Sequence, residues 1–364
     1  MATLFDPLTL RGLTIRNRMF LPPMCTYSCK DQDGVPNDWH LVHYGSRAVG
    51  GFGLITAEAT GVTPDGRITP YDCGLWNDTQ RDAWKRVVDF VHEYGAAISV
   101  QLNHAGRKGS SADKAATVPE SEGGWKTMAP SAIAFPGYDT PREMTKDDIA
   151  SVTKAFADAA KRAVAAGFDA VELHAAHGYL LFEFLSPLTN QRTDEYGGDF
   201  DGRSRFLIEV VDAVRAVLPD TMPLMVRISA TEWLDDGWSV RESVQLATLL
   251  KEHGVDMMDV SSGGNVPAQI DTQPGYQVWL ARHVGRSGMP VIAVGLITSP
   301  KQAARIMGEG NLDALAIGRA ALRRPYWPLW AGYKLDKQPE DMPYPQAYQR
   351  GAFVPKQKQD SEGK

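Results

Sequence analysis

The chain has 364 residues, 43% hydrophobic and 23% charged, an ordinary globular composition with enough length for a large core. A net charge of -6 without any basic stripe argues against nucleic acid or an anionic membrane as partner. The N-terminus "MATLFDPLTLRG" lacks a signal-peptide apolar core and no 18-residue apolar stretch occurs; Cys25, Cys29 and Cys73 are too few for a disulfide framework, so reduced thiols and a cytoplasmic location are expected.

Short aliphatic or β-branched runs recur along the chain: "NRMFLPP" (17–23), "GLITAEA" (53–59), "AAISVQLN" (96–103), "FDAVELHAA" (168–176), "PLMVRIS" (223–229), "VDMMDVSSG" (255–263), "PVIAVG" (290–295) and "LDALAIGR" (312–319). Nearly continuous apolar runs, without strict alternation, mark strands of a parallel sheet covered on both faces. Between them the spacing predicts helices over 78–94, 145–166, 202–218, 239–253 and 299–309. Thr145 with Asp148 and Ser239 with Glu242 are capping pairs, and Gly95, Gly167 and Gly254 are helix-ending glycines. Eight strands alternating with helices predict a (β/α)8 TIM barrel as a single domain over residues 1–353, ahead of an open doubly wound sheet, with a disordered tail at 354–364. Two stretches, 104–144 and 180–201, exceed ordinary loop lengths and follow strands three and four at the end where barrel active sites form.

The reactive groups of such a barrel come from the last residues of its strands and the loops just after them. Those positions hold Pro22, Pro23, Met24 and Cys25, then Glu58 and Ala59, Gln101 and His104, His174 and His177, Arg227, Ser261 and Ser262, Gly295, and Gly318 with Arg319. Gly295, Gly318 and Arg319, after strands seven and eight, suit a phosphate, with exposed backbone N–H groups and one guanidinium. Arg227 is a charge inside an apolar strand and must be paired, either with Glu58 or with a ligand oxygen.

In "LHAAHGYLL" (173–181), His174 and His177 fall on opposite faces of an extended strand and converge only if the chain turns after Ala175, where Gly178 gives a flexible point. They could bind a metal with His104 and Glu58 from other strands. Alternatively both donate N–H groups to an oxygen that becomes negative during reaction, with Tyr179 as proton donor. Burial with backbone partners is the plain structural alternative.

Read together, "PPMCTYS" (22–28), "EAT" (58–60), "QLNHAGRK" (101–108), "ELHAAHGYLLFEFLSPLTNQRTDEYGG" (172–198), "VRIS" (226–229), "VGLIT" (294–298) and "IGRA" (317–320) resemble the old yellow enzyme family of FMN-dependent ene-reductases. Cysteine in "PMCTY" and the ending "YQRGAF" resemble its thermophilic-like branch, with its NADPH dehydrogenases and xenobiotic reductases. The resemblance implies FMN at the C-terminal mouth, its phosphate on Gly295, Gly318 and Arg319, its ring lined by Pro22, Pro23, Met24 and Cys25, with Ala59 and Gln101 at the pyrimidine edge. Arg227 would face the edge that gains negative charge on reduction. His174 and His177 would hold a carbonyl or nitro oxygen, Tyr179 would protonate the substrate, and Tyr27 would touch it. NADPH or NADH would reduce the flavin first and depart in a ping-pong cycle. Arg350 would reach a neighbouring subunit's active site in a homodimer or homotetramer. Nothing in the motif calls for a metal. A metal-dependent barrel hydrolase and a non-catalytic flavin redox sensor built on Cys25 are the competing expectations. The loop 109–127, with Trp125, is longer than compact members of the family would need, and no cysteine cluster for an iron–sulfur segment follows Cys73.

Overall fold

The computed structural model describes residues 2–112 and 116–355. Eight parallel strands close into a barrel: β1 (Met19–Leu21), β2 (Leu54–Gly61), β3 (Ala97–Asn103), β4 (Ala170–Ala175), β5 (Leu224–Ser229), β6 (Met257–Ser261), β7 (Val291–Ala293) and β8 (Ala314–Ala316). Leu315 of β8 lies opposite Met19 of β1, which closes the ring. Each expected strand is present, and the open sheet is not formed. The expected disordered tail falls, from residue 356 on, outside the described residues.

The helices are α1 (Asp38–Val49), α2 (Asp78–Glu93), α3 (Lys146–Ala166), α4 (Leu180–Leu185), α5 (Phe200–Arg215), α6 (Val240–Glu252), α7 (Val278–Val284), α8 (Pro300–Gly308), α9 (Arg319–Arg323) and α10 (Trp327–Lys334). The five predicted from spacing are α2, α3, α5, α6 and α8. The Thr145 and Ser239 side chains cap the third backbone N–H of α3 and α6, and Asp148 and Glu242 reach back to the cap backbone. The other five were not among them: α1, whose inward face carries His40, His43 and Arg47 in place of an apolar stripe, α4, too short and too uniformly apolar to show a period, and the short α7, α9 and α10.

Side chains inside the barrel follow the two-residue period of its strands and stack in layers. The bottom layer is apolar: Phe20, Leu54, Ala170, Met225, Met257, Ile292 and Ala314 form one cluster with Leu8, Leu10 and Ile15. Those last three belong to an antiparallel hairpin, Leu8–Leu10 paired with Leu13–Ile15, that covers the N-terminal mouth. Two residues further along the strands stand Gln101, Glu172, Arg227 and Asp259, and two further again His174, Ser229 and Ser261. Burial of one end and polarity of the other leave the C-terminal mouth as the reactive face.

After β4 the chain turns sharply. His177 has φ +58° and Gly178 φ +71°, both in the left-handed region. A Cβ on Gly178 would stand 2.3 Å from Asn265 Cα and 2.8 Å from the Gly264 carbonyl oxygen, so this turn admits only glycine. Gly178→Ala is expected to cost about 1–3 kcal/mol, read as a lower urea midpoint at unchanged slope. An unaltered midpoint would show that the turn tolerates a side chain.

Candidate active site

A cavity of about 210 Å³ opens beside β7 and β8, lined by Gly295, Gly318 and Arg319 together with Arg227, Gln277 and Arg323. Arg319 and Arg323 are exposed, and among the described residues neither has an acidic partner. Two free guanidiniums around a glycine-lined recess fit a phosphate dianion. The sequence-derived trio is thus brought together; Gln277 and Arg323 were not foreseen. Gln277 accepts from the hydroxyl of Ser262 at 2.5 Å, a partnership that no local motif signals.

Arg227 forms the floor between this cavity and the histidines. Its counter-ion is Asp259, with Nε 3.3 Å from Oδ2, and its Nη1 donates to the Pro23 carbonyl at 3.4 Å. The expected alternative, pairing with Glu58, is not realised. A register shift between Ala57 and Ala59 in β2 turns Glu58 away from the barrel axis, towards α1. There its carboxylate accepts from Thr26 N at 2.8 Å, Thr26 Oγ1 at 2.8 Å and Tyr44 OH at 3.1 Å, and burial pushes it up to about 7. Glu58 therefore clamps the backbone just after Cys25. Beside Arg227, burial and then the Asp259 charge push Glu172 up, while Gln101 donates to its Oε1 at 2.8 Å. Ala59 lies opposite Gln101 in the β2–β3 register.

The rings of His174 and His177 have centroids 5.2 Å apart at 86°, and those of His174 and Tyr179 4.9 Å apart at 73°. The turn at Gly178 thus brings all three together. Serine hydroxyls of the same layer fix His177: its backbone N–H donates to Ser229 Oγ at 2.9 Å and its Nε2 lies 2.8 Å from Ser261 Oγ. His174 Nδ1 is buried and has no hydrogen-bond partner among the described residues; Arg227 Nε, though 3.3 Å from Asp259 Oδ2, makes no hydrogen bond there either. Burial, with the cations of Arg227 and Lys108 nearby, holds both imidazoles well below their ordinary range, so they are neutral. Burial pushes the Tyr179 phenol well above its ordinary range, so it keeps its proton.

His104 does not join these histidines. Its Nδ1 accepts from Gly106 N at 3.2 Å and its carbonyl from Leu180 N at 3.0 Å, so it supports the loop turn. With His104 and Glu58 both committed elsewhere, the metal set considered from the sequence is not assembled.

Lys108 was missed, although it lies within a quoted motif. Its Nζ donates to the carbonyls of His177 and Gly264, each at 2.8 Å, and stands 4.9 Å from the centroid of the Tyr179 ring. Burial lowers it to about 8. Cys25 packs with Tyr179 against Ala59, Ile68 and Ala105. Pro22 and Met24 border Gly318.

Tyr27, at φ +51°, faces a second cavity of about 500 Å³, bounded also by Thr69, Tyr71, Ser111, Val118 and Tyr138. Ser111 and Val118 of the loop 109–127 thereby supply one wall of this cavity, while Trp125 lies over the Arg67 guanidinium, 5.1 Å from centroid to carbon. Arg350 is exposed on the turn Gln346–Gly351 and lines neither cavity.

Comparison with known proteins agrees with this geometry. The profile of the NADH:flavin oxidoreductase / NADH oxidase family matches residues 3–338. An NADPH dehydrogenase of Geobacillus thermodenitrificans (strain NG80-2) is 50% identical over 350 residues, 96% of this chain and 98% of that protein. An NADPH dehydrogenase of Geobacillus sp. (strain WCH70) is 48% identical over 334 residues, 91% of this chain and 94% of the relative. Among solved structures, morphinone reductase superimposes with a TM-score of 0.76 at 30% identity, covering 92% of this chain and 90% of its own; a complex of morphinone reductase with tetrahydroNAD gives 0.75 at 30% identity, covering 90% of each chain. The recess beside Gly318, lined by the free guanidiniums of Arg319 and Arg323 and by Arg227, is what a bound flavin mononucleotide would fill, and the metal-hydrolase and non-catalytic alternatives fall away. The chain belongs to the NADH:flavin oxidoreductase / NADH oxidase family, the old yellow enzymes, and is an FMN-dependent oxidoreductase that takes its electrons from a nicotinamide.

Proposed function

We propose that this oxidoreductase reduces the activated C=C bond of α,β-unsaturated carbonyl compounds, and nitro compounds by the same oxygen-holding groups. The observation that carries this reading is the meeting of two neutral, buried imidazoles and a protonated tyrosine at one point above Arg227. FMN, when bound, would supply the hydride chemistry that links NADPH or NADH to the substrate in a ping-pong cycle. Residues 22–25, Ala59, Gln101, Arg227, Gly295, Gly318 and Arg319 are the groups that hold it.

His174 and His177 hold the substrate oxygen. As neutral N–H donors they carry no charge into the ground state, and each such bond is worth about 2.7–4 kcal/mol once negative charge develops on the oxygen. His174 Nδ1, with no protein partner, is free for this task, while Ser229 and Ser261 keep the His177 ring in place. Tyr179 supplies the proton to carbon. The Lys108 cation 4.9 Å from its ring favours the phenolate that remains, which offsets part of the burial that otherwise holds the proton on. Tyr27 borders the substrate at the entrance.

Arg350 completes the site of a neighbouring subunit in a homodimer or homotetramer in the cytoplasm. Its exposed side chain lines neither cavity of its own chain, which supports a role elsewhere. Among the described residues no helix is long and apolar enough to cross a membrane, and the three cysteines are free.

In stopped-flow measurements, Tyr179→Phe should slow reoxidation of the reduced enzyme by cyclohexenone by about 10²–10⁴-fold while leaving reduction by NADPH nearly unaffected; equal loss in both half-reactions would remove the proton-donor role. His174→Ala and His177→Ala should each weaken binding of a phenolate such as that of p-hydroxybenzaldehyde by about 10–100-fold, and unchanged affinity would count against the oxygen-holding role. For Arg350→Ala an increased KM is expected together with a multimeric mass in light scattering, and a monomer would rule out the shared site.

A further inference from the structure

Behind the wall that carries Cys25 and Tyr27 lies a cluster with no part in the reaction described above. Cys29 and Cys73, 44 residues apart, place their sulfurs 3.5 Å from each other, and both residues are buried. His40 Nε2 stands 3.1 Å from Cys73 Sγ and 3.6 Å from Glu58 Oε1. Three soft donors this close suggest a metal, but the tautomer speaks against it. His40 Nδ1 accepts the backbone N–H of Asn37 at 3.0 Å as part of the α1 cap, so Nε2 carries the proton and has no lone pair to offer. What Nε2 presents to Cys73 is a hydrogen-bond donor, which favours the thiolate.

We propose that Cys29 and Cys73 are a modification site: under hydrogen peroxide they close to an intramolecular disulfide that staples the β1–α1 loop to the β2–α2 segment. The Cys73 thiolate attacks a peroxide oxygen; an S–O bond forms, the O–O bond breaks, and hydroxide leaves and takes up a proton as water. The Cys29 sulfur then attacks the Cys73 sulfenic acid; the S–S bond forms, the S–O bond breaks, its own proton is lost, and a second water departs. Two thiols lose two electrons and one peroxide gains them.

The two segments are already joined at this point. Cys29 N donates to the Tyr71 carbonyl at 3.0 Å, and the Cys73 carbonyl accepts from Gly61 N, at the end of β2, at 2.9 Å. Tyr27 on the first segment and Thr69, Pro70 and Tyr71 on the second face the same cavity of about 500 Å³. The staple therefore fastens two walls of this cavity to each other. Burial raises the Cys73 thiol, so closure is a slow oxidation and not a rapid signalling reaction.

The test treats the FMN-bound enzyme with hydrogen peroxide, traps remaining thiols with N-ethylmaleimide under denaturing conditions and measures intact mass and peptide map. The expected product has lost about 2 Da, carries one maleimide, at Cys25, and yields a Cys29–Cys73 peptide. Its Tm should rise by about 5 °C and return on reduction. Cys25→Ser should still form the bridge, while Cys29→Ser and Cys73→Ser should not; if either fails to fold, the wild-type map decides. A bridge that includes Cys25, thiols at Cys29 and Cys73 that stay free while Cys25 is oxidised in place, or stoichiometric zinc uptake by the untreated enzyme that Cys73→Ser abolishes, would each overturn the proposal.

Discussion

A guanidinium inside a barrel cannot shed its charge, and that constraint organises the rest of the molecule. Arg227 sits in the middle layer of side chains, 7% exposed, between an apolar floor and a polar mouth. One acid, Asp259, balances it; the second acid of the layer, Glu172, is held towards its protonated form, so the layer is close to neutral without a ligand. The cation nevertheless has a hydrogen-bond acceptor, among the described residues, only for Nη1, and its side chain lines the cavity of Gly295 and Gly318. A layer that is balanced yet incompletely bonded costs stability and is suited to a partner that arrives carrying or acquiring negative charge.

The same positive field explains the state of the residues above it. His174 and His177 would ordinarily titrate near neutral pH, but burial first, and then the charges of Arg227 and Lys108, keep both uncharged. Neutral donors leave a substrate oxygen little stabilised until it becomes negative, which is the distribution of binding energy that favours reaction. Lys108 then has two contacts: its amine ties the β3 loop to the turn after β4 through the His177 carbonyl and to the loop after β6 through the Gly264 carbonyl, and it lies over the Tyr179 ring.

Much of the barrel was legible because burial on both faces leaves a mark that needs no partner to be seen. All eight strands and the long amphipathic helices α2, α3, α5, α6 and α8 stand where the pattern put them. Elements whose signature is short or mixed were not visible: the Leu8–Ile15 hairpin that closes the floor, α1 with its buried histidines, and the six-residue α4. At the site, the structure brings His174, His177 and Tyr179 together and lines one recess with Arg227, Gly295 and Gly318, the positions that strand ends had singled out in the sequence. Sequence position could not show that a register shift in β2 sends Glu58 towards Thr26 and Tyr44, leaving Arg227 to Asp259, because a bulge changes no residue type. Nor could it show Lys108 over Tyr179, or Cys29 against Cys73, since each contact joins segments far apart in the chain.

The central claim is that Arg227 is the cation beneath a flavin that becomes negative on reduction. The most direct measurement is a redox titration of the bound flavin in the wild-type enzyme and in Arg227→Met, followed by visible absorption. Loss of the charge should lower the two-electron midpoint potential by about 30–60 mV, equivalent to about 1.4–2.8 kcal/mol of lost stabilisation of the reduced form. A flavin that stays bound at an unchanged or higher potential would contradict the account.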